Sequence, residues 1–456
     1  MINNNSDYGR DRLSEKFDQN AKAILEQNIF AELDDLKFLS EINIAHVTML
    51  EQCKIISSSA SGKILIAAQE IAAENFAGVH KLNDCSIGYY FAYEQYLSDK
   101  IGPDLAGLIH IGRSRNDINA TIQRLKSKYI YEELKNVIRD LRVDILVVAE
   151  KNIAIAMPIY SQYQPAMPAT YAYYLIAIEN ALAVIQEQLQ SCAKLANTAT
   201  LGASSGAGTT YPIDPSITAE LLGFKYNMPN ALTVVATRDL ELMLLSIGAN
   251  LGVTISRVAQ DYHLWTTKEF ALFALPDRLC GISSAMPQKK NPYLLEKIKG
   301  KAIRISGVLA AAHSSMHKTP FASSVEVGTE ALVGYIEGFA ELIKAIKLLS
   351  SIITGAEPIE KNMQRSNTEG LTVATNIAEH LARDTNISCR EAHSRVGEVI
   401  AMAVRDNQDP LQEILALVDN FNVEPDTWHK KLEYGNGSGI QSTKEMLELA
   451  KKSLAK

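Results

Sequence analysis

The sequence predicts a mostly α-helical protein whose middle is an elongated bundle of long helices. The stretch from Ser114 to Met157 contains neither glycine nor proline. Apolar residues recur along it at spacings of three to four, which is typical of a helix with one buried face. Three further helical patterns run from about Leu232 to Thr267, from Tyr293 to about Lys318 and from about Val325 to Ile353. Helices of this length bury their apolar faces against one another, which predicts a bundle.

The chain is predicted to divide into three parts. Residues 1–112 are expected to form an N-terminal helical domain, residues 113–360 the long-helix bundle, and residues 361–456 a C-terminal helical domain. The last part has shorter helical patterns, broken at Pro410 and Pro425, and a glycine-rich turn at residues 435–439. Proline and glycine at these spacings favour short elements over a continuation of the bundle.

The second long pattern carries more apolar side chains than one bundle face can bury. These side chains follow one another closely, at Leu240, Leu242, Met243, Leu244, Leu245 and Ile247. Burial against another copy of the chain would cover the surplus, which predicts a homo-oligomer.

Small residues and turn formers fill residues 201–212, between two helical patterns. Such a run predicts a loop. The loop serves either as a plain connector or as a place where the backbone approaches a ligand closely, and the sequence leaves both open.

The overall charge argues against several classes of partner. A net charge of -7 and a pI of about 5.8 disfavour a nucleic-acid or anionic membrane surface, while a local basic pocket stays possible. Residues 1–7 are polar, and no uninterrupted apolar run reaches the roughly 18 to 20 residues that cross a membrane. We therefore expect a soluble cytoplasmic protein, and the bulk charge decides little about its function.

The cysteines predict neither a disulfide framework nor a zinc site, because they are odd in number and widely spaced: Cys53, Cys85, Cys192, Cys280 and Cys389. Cys280 precedes a basic segment, so a reactive thiol is one interpretation, and a small buried apolar residue is the favoured one. We expect no metal and no cofactor.

The basic segment Lys289-Lys290-Asn291-Pro292 has the composition of an anion site. Asn291 is predicted to cap a helix that Pro292 begins, so the loop ends at a positive helix terminus. Lysines before a capped helix are usually solvated, and the four residues alone are weak evidence.

The ten residues 283–292, Ser-Ser-Ala-Met-Pro-Gln-Lys-Lys-Asn-Pro, are far more specific. They resemble the signature loop of the fumarase/argininosuccinate lyase superfamily, in the form found in argininosuccinate lyases. The resemblance implies that Ser283 is the general base and that Lys289 and Asn291 hold substrate carboxylates.

Residues 110–117, His-Ile-Gly-Arg-Ser-Arg-Asn-Asp, resemble a second motif of the same family. The resemblance implies that Ser114, Arg115 and Asn116 bind the succinyl part of the substrate. It further implies a mostly α, three-domain fumarase/argininosuccinate lyase-like subunit in a homotetramer, with each active site built from three subunits. The implied reaction is an elimination that releases fumarate from a small dicarboxylate.

Residues 157–164 depart from the family pattern at the position of the general acid. The family's histidine is Gln162 in this chain, and Ser161 stands at the threonine before it. Glu296, whose counterpart pairs with that histidine, is retained. A second family histidine falls at Tyr90. Because glutamine donates a hydrogen bond but no proton, Gln162 indicates a leaving group that needs little protonation.

The side of the site that binds the amine departs further. The family's arginine-binding tyrosine, glutamine and lysine correspond to Ser323, Gly328 and Ala331, and a family serine near the N-terminus corresponds to Asn43. Each charge-assisted hydrogen bond lost would cost arginine about 1.5 to 3 kcal/mol. The sequence therefore predicts a kept succinyl half, with Ser323 and Asn43 as candidate substrate contacts, and a rebuilt leaving-group half.

Four interpretations remain open. The leading one is a lyase for an N-substituted aspartate with an altered leaving group, and the second is a genuine argininosuccinate lyase. The third is a catalytically silent relative kept for structure or binding. An elimination of ammonia or water would use the same base and the same carboxylate contacts.

Overall fold

A computed structural model describes residue 10 and residues 12–83, 88–418 and 425–454. Cys85 and the polar segment 1–7 lie outside the described residues. The N-terminal helices are α1 (Gln19–Glu26), α2 (Asp35–Gln52), α3 (Ser58–Ala73), α4 (Ala77–Leu82), α5 (Gly88–Ile101) and α6 (Pro103–Ala106). The middle of the chain contains α7 (Arg115–Lys151), α8 (Tyr171–Ser191), α9 (Ala193–Ala196), α10 (Pro215–Leu221), α11 (Ala231–Ala236), α12 (Asp239–Trp265), α13 (Tyr293–Ala302), α14 (Arg304–Met316), α15 (Val325–Gly328) and α16 (Tyr335–Gly355).

The C-terminal helices are α17 (Glu360–Glu369), α18 (Ala374–Thr385), α19 (Cys389–Arg405), α20 (Pro410–Leu415) and α21 (Ile440–Leu454). Two small antiparallel pairs complete the regular structure: β1 (Ala156–Ser161) with β2 (Gln164–Thr170), and β3 (Phe273–Ala274) with β4 (Glu357–Pro358). Short 3₁₀ turns lie at Gly107–His110, Asp277–Leu279, Glu330–Leu332 and Pro425–Lys431.

The predicted helical bundle is confirmed. The main core is formed by α7, α8, α12, α13, α14 and α16, which pack on one another along their apolar faces. Helix α7 spans 37 residues and ends at Lys151, six residues before the predicted end, because the chain turns there into β1. The predicted loop at residues 201–212 is also confirmed, since no helix or strand lies between α9 and α10.

The other three long helices are interrupted, so their prediction as continuous elements was wrong. Residues 237–238 separate α11 from α12, with Thr237 in an extended conformation and Arg238 buried at 4% exposure. Ile303 separates α13 from α14. Gly334 adopts a left-handed φ of 78° before α16 begins. Local periodicity does not reveal such breaks, because tertiary packing decides them.

Among the helices of the described residues, α12 is the one that is long and apolar enough to cross a membrane. Its most apolar 18-residue window is 56% buried inside the protein. Leu240, Leu244 and Leu245 are fully buried, while Met243 is 39% exposed. We therefore interpret α12 as a core helix of the bundle, with part of its apolar surface left uncovered in one chain.

Two smaller cores flank the bundle. One lies among α2, α3 and α5, and the other lies among α18, α19 and α20 and includes Trp428. Helix α21 returns to the bundle and packs on α7 and α8. The three-domain boundaries at residues 112 and 360 stay a prediction.

Candidate active site

The predicted site residues lie at two ends of the bundle. Ser114 caps the start of α7, and the β1–β2 hairpin follows the other end of that helix. At 1.5 Å per residue, the 37 residues of α7 span about 55 Å. Ser127 lies in the first half of α7, and its hydroxyl donates to Glu241 at the start of α12 over 2.8 Å. The starts of α7 and α12 therefore lie at the same end of the bundle. The far end of α12 carries Trp265, which packs against Tyr160 of the hairpin.

The signature loop lies at the hairpin end. Lys299 of α13 donates to Gln260 near the end of α12, over 2.8 Å, and α13 begins directly after the loop. Both Gln162 and Lys299 line one cavity of about 690 Å³. In a single chain, the loop and the hairpin therefore share one end, and the Ser114 motif lies at the opposite end.

The Ser114 motif forms a rigid helix start. Ser114 accepts a hydrogen bond from the Asn116 backbone N–H at 3.3 Å, and Asp117 accepts from the Ser114 N–H at 2.9 Å. The other oxygen of Asp117 accepts from the N–H groups of Gly202 and Ser204 at 3.0 and 2.9 Å. Burial raises the pKa of Asp117 to about 6, against the opposing effect of these amides. The 201–212 loop is thus anchored to the motif rather than being a free connector.

Arg115 and Asn116 remain accessible beside this rigid start. The Arg115 side chain is exposed and its guanidinium lies 4.8 Å from the centre of the Phe91 ring. Asn116 is half-buried. An accessible guanidinium held by an aromatic ring is suited to pairing with a carboxylate.

Asn43 lies behind the motif and not on the surface. It is 2% exposed, and its side-chain oxygen accepts from Arg113 Nη2 at 2.6 Å. The Asn43 amide nitrogen and the Nε and Nη1 atoms of Arg113 are buried without a hydrogen-bond partner in the described part of the chain. In this structure Asn43 supports Arg113, so a direct contact of Asn43 with substrate stays a prediction.

Tyr90, at the position of the second family histidine, belongs to the same buried region. Its hydroxyl forms a 2.5 Å hydrogen bond with Nδ1 of His110, and burial raises its pKa to about 12. Nearby, Nε2 of the buried His46 bonds the Ile111 carbonyl over 2.8 Å. Sequence reasoning missed Arg113 and His110 as parts of this network, since residue type alone does not show which side chain points inward.

Gln162 occupies the tip of the β1–β2 hairpin. Ser161 pairs with Gln164, so Gln162 and Tyr163 form a two-residue turn, with φ of 50° and 63°. Two positive φ values match the twist of a hairpin. Ser161, Gln162 and Tyr163 are exposed, and the Gln162 side chain makes no hydrogen bond to any described residue. The tip therefore leaves the Gln162 carboxamide accessible to a ligand or to another chain.

The signature loop closes on itself at its base. Gly281 N–H donates to the Asn291 carbonyl at 2.9 Å, and Asn291 N–H donates back to Gly281 at 3.1 Å. The Asn291 side chain donates to the Ile282 carbonyl at 3.0 Å. The predicted helix cap at Asn291 is therefore wrong: α13 begins at Tyr293, Pro292 precedes it, and Asn291 is used to close the loop.

The two adjacent lysines of the loop have different surroundings. Lys290 donates to the Leu275 carbonyl at 2.5 Å and pairs with Asp277 at 2.6 Å, which lowers the pKa of Asp277 to about 2. Lys289 is exposed and its ammonium contacts no described partner. Lys289 is therefore the lysine that is accessible to an anion, and its role in binding substrate stays a prediction.

Ser283 lies within this loop, half-buried, and its Oγ accepts from the Met286 N–H at 3.1 Å. A cavity of about 650 Å³ beside the loop is lined by Lys289, Asn291 and Glu296. Cys280, just before the loop, is 1% exposed, and burial raises its thiol pKa to about 11. The favoured interpretation of Cys280 as a buried apolar residue fits this environment.

The amine-side residues offer few polar groups. Ala331 is 2% exposed, and Gly328 has open space around it. Ser323 is half-buried and precedes α15, whose cap is Ser324. These positions provide no charged side chain for an amino acid.

The comparisons with known proteins identify the family. A family described as "Lyase" matches residues 10–307. Argininosuccinate lyase of Chromohalobacter salexigens is 33% identical over 377 residues, which cover 80% of this chain and 78% of that protein. Argininosuccinate lyase 1 of Shouchella clausii is 30% identical over 413 residues, which cover 91% of this chain and 81% of that protein.

Comparison with solved structures indicates the same family. A crystal structure of EDDS lyase in complex with formate aligns with a TM-score of 0.88 and 25% identity, covering 99% of this chain and 92% of that one. The chain therefore belongs to the fumarase/aspartase superfamily as a member similar to argininosuccinate lyase, and it is a fumarate-releasing carbon–nitrogen lyase.

Proposed function

We propose that this lyase releases fumarate from an N-substituted aspartate whose leaving group is not arginine. The observation that carries the proposal is the amine side of the site, where Ser323, Gly328 and Ala331 stand in place of the arginine-binding residues. Gln162 at the exposed hairpin tip adds to it, because a glutamine hydrogen-bonds a leaving nitrogen without protonating it. The similarity to EDDS lyase, which a second structure shows as a variant with bound fumarate, supports a changed leaving group on a kept fumarate half.

The proposed mechanism uses the residues of the loop and of the Ser114 motif. Ser283, as its alkoxide, removes a proton from the carbon next to the one that bears nitrogen and becomes a neutral hydroxyl. The electron pair forms the double bond of fumarate as the carbon–nitrogen bond breaks. The nitrogen enters as an ammonium, because Gln162 supplies no proton, and it keeps the bonding pair and leaves as a neutral amine. Lys289, Asn291 and Arg115 stabilise the negative charge that develops on the carboxylate.

A complete site also requires more than one copy of the chain. Ser114 and Ser283 lie at opposite ends of a bundle whose central helix spans about 55 Å. We propose that copies pack side by side in opposite directions in a homotetramer, so that the motif of one copy meets the loop of another. The exposed Met243 on α12 supports such packing. A cytoplasmic location stays a prediction.

The experiment is to incubate the enzyme with fumarate and a panel of amines, arginine included, and to detect adducts by mass spectrometry. We expect adducts with at least one amine other than arginine. Ser283→Ala should lower their rate of formation by about 10² to 10⁴. Arginine as the preferred amine, at an ordinary enzymatic rate, would overturn the proposal in favour of a genuine argininosuccinate lyase, the name carried by the curated relatives.

A further inference from the structure

The segment before the signature loop is held by residues from the start of the chain. Arg10 is 8% exposed, and its Nη1 donates to the Cys280 carbonyl at 2.9 Å. Its Nη2 donates to the Asp277 carbonyl at 2.8 Å. The guanidinium therefore joins the two carbonyls that bracket the 3₁₀ turn leading into the loop, and Cys280 is three residues before Ser283.

Further contacts attach the same N-terminal segment, residue 10 and residues 12–18, to this turn. The backbone N–H and the hydroxyl of Ser14 donate to Asp277 Oδ2 at 2.7 and 2.9 Å. Glu15 accepts from the Arg278 N–H at 3.0 Å, and the Asp18 N–H donates to the Arg278 carbonyl at 3.1 Å. Each contact fixes backbone or a short side chain, so the turn has little freedom to shift.

Asp277 links the N-terminal segment to the far end of the loop. One of its oxygens accepts from Ser14, and the other pairs with Lys290 at 2.6 Å. The loop thus has its entry held by Arg10 and its exit held by Lys290 through one shared residue. The Gly281–Asn291 bridge lies between them, and a side chain at position 281 would approach Tyr293 Cβ to 2.7 Å.

The N-terminal segment also borders the space in front of the loop. Arg10, Phe17 and Lys22 line the same 650 Å³ cavity as Lys289 and Asn291. Arg10 itself directs its guanidinium to the Cys280, Asp277 and Glu15 carbonyls, and its Nε is buried without a partner among the described residues. Its effect on the site is therefore transmitted through the loop base.

We propose that Arg10 is a positioning residue for Ser283. It holds the Cys280 and Asp277 carbonyls in the geometry that places the base, and Asp277 transmits this constraint to Lys290 at the loop exit. The inference rests on the proposed role of Ser283 in the elimination. It assigns the N-terminal segment to the catalytic apparatus, although its residues touch no substrate.

Arg10→Ala should speed amide exchange of residues 281–291 by about ten-fold, because the Cys280 carbonyl loses its partner. Exchange in α12 should stay unchanged. In the fumarate–amine reaction, kcat should fall by about ten-fold or more with a smaller change in the KM for fumarate, because the base is misplaced while Lys289 still binds carboxylate. Arg10→Lys should restore only part of the rate, since an ammonium does not span both carbonyls in the guanidinium's plane.

Arg12→Ala is the matched control, because Arg12 is exposed and its substitution removes an equal charge two residues away. Amide exchange of the loop and kcat should both stay at wild-type values. If Arg10→Ala does not fold, Ser14→Ala tests the same attachment of the loop through Asp277. Amide exchange of the loop and kcat are again the two measurements. Unchanged loop exchange in the folded variants overturns the proposal, whether or not any amine reacts. Faster loop exchange with kcat unchanged also overturns it, and a wild-type enzyme inactive with every amine contradicts the proposed function instead.

Discussion

His46 is a histidine that the fold keeps neutral. It is 1% exposed, and burial together with the charge of Arg113 lowers its pKa to about 3. Its Nε2 bonds the Ile111 carbonyl, so the proton lies on Nε2 and the buried Nδ1 has no hydrogen-bond partner among the described residues. The imidazole therefore supports the turn that leads into the Ser114 motif without carrying charge.

This environment predicts a loss of stability in acid. An unfolded chain protonates His46 below about pH 6.5, whereas the folded chain does so only near pH 3, so unfolding is favoured as the pH falls through that window. The contribution is at most about 1.4 kcal/mol per pH unit. His46→Gln, which keeps a donor for Ile111, should reduce the slope of the unfolding free energy between pH 6 and 4. Urea titrations at fixed protein concentration measure it.

The control for that experiment is His317→Gln, because His317 is exposed at the end of α14. Its slope should match that of the wild type. Equal slopes for His46→Gln and the wild type would show that folded His46 binds its proton over the same pH range as unfolded His46, which contradicts the prediction.

Gln162 allows a second prediction at a single side chain. A lost hydrogen bond to the leaving nitrogen corresponds to about 0.5 to 1.5 kcal/mol, so Gln162→Ala should lower kcat/KM by about three- to ten-fold. A general acid would contribute about 10² to 10⁴, which a carboxamide cannot supply. Steady-state rates with the best amine measure the loss, and Gln164→Ala, exposed on the other side of the turn, is the control. A loss above about 100-fold would contradict a role limited to one hydrogen bond.

The same residues show how far sequence reasoning reaches. The motif predicts Lys289 as the anion-binding lysine, and the exposed ammonium fits that role. It does not predict that Lys290 turns back to Asp277, because the choice depends on where residues 275–277 lie in space. The cap predicted at Asn291 fails for a similar reason: the asparagine bonds to Ile282 across the loop and not to the helix that follows.

Helices α7 and α8 are joined by a buried ion pair. Arg142 and Glu179 are 3% and 1% exposed, and Arg142 Nε donates to Glu179 Oε1 at 2.8 Å. Gln186 accepts a further hydrogen bond from Arg142 at 2.9 Å. The periodicity of α7 predicts an apolar face, so the placement of this pair within the core was not predictable from spacing.

Removing one partner should destabilise the bundle more than removing both. Arg142→Met leaves a carboxylate buried without its partner and should cost about 3 to 5 kcal/mol in unfolding free energy. The double variant Arg142→Met/Glu179→Leu should recover most of that loss, because both desolvated charges are gone. Chemical unfolding at one protein concentration measures both, since an oligomer's stability depends on concentration.

Lys451→Met is the control for the pair, because Lys451 and its partner Glu150 are 33% and 60% exposed. An exposed pair contributes about 0 to 1 kcal/mol. If the single and double variants at Arg142 and Glu179 lose equal stability, the cost comes from packing rather than from the unpaired charge.

At the scale of the whole molecule, the long helices determine where chemistry can occur. The Gly- and Pro-free sequence of α7 predicts its length, and that length separates Ser114 from Ser283 by most of the bundle. The interruptions at Ile303 and Gly334 are not visible in the sequence, because neighbouring helices and a left-handed glycine create them. The separation of the two motifs is a direct consequence of the predicted bundle, whereas the proposed packing of copies depends on exposed surfaces such as that around Met243.

This separation predicts that two inactive variants restore each other. Ser283→Ala and Asn116→Ala each remove one part of the site, and each homo-oligomer should be nearly inactive. If a site takes its loop from one copy and its motif from another, random mixing gives half the sites an intact loop and half an intact motif. Roughly a quarter of the sites are then intact, and about that fraction of wild-type activity should appear after the subunits are unfolded and refolded together.

A mixture of Ser283→Ala with Lys289→Ala provides the control. Both changes lie in one loop, so every site receives a defective loop whichever copy supplies it, and activity should not return. Recovery in both mixtures would point to an effect of refolding itself. Absence of recovery in the first mixture, with mixed oligomers demonstrated by native mass spectrometry, would place Ser283 and Asn116 of one chain in the same site and contradict a site shared between copies.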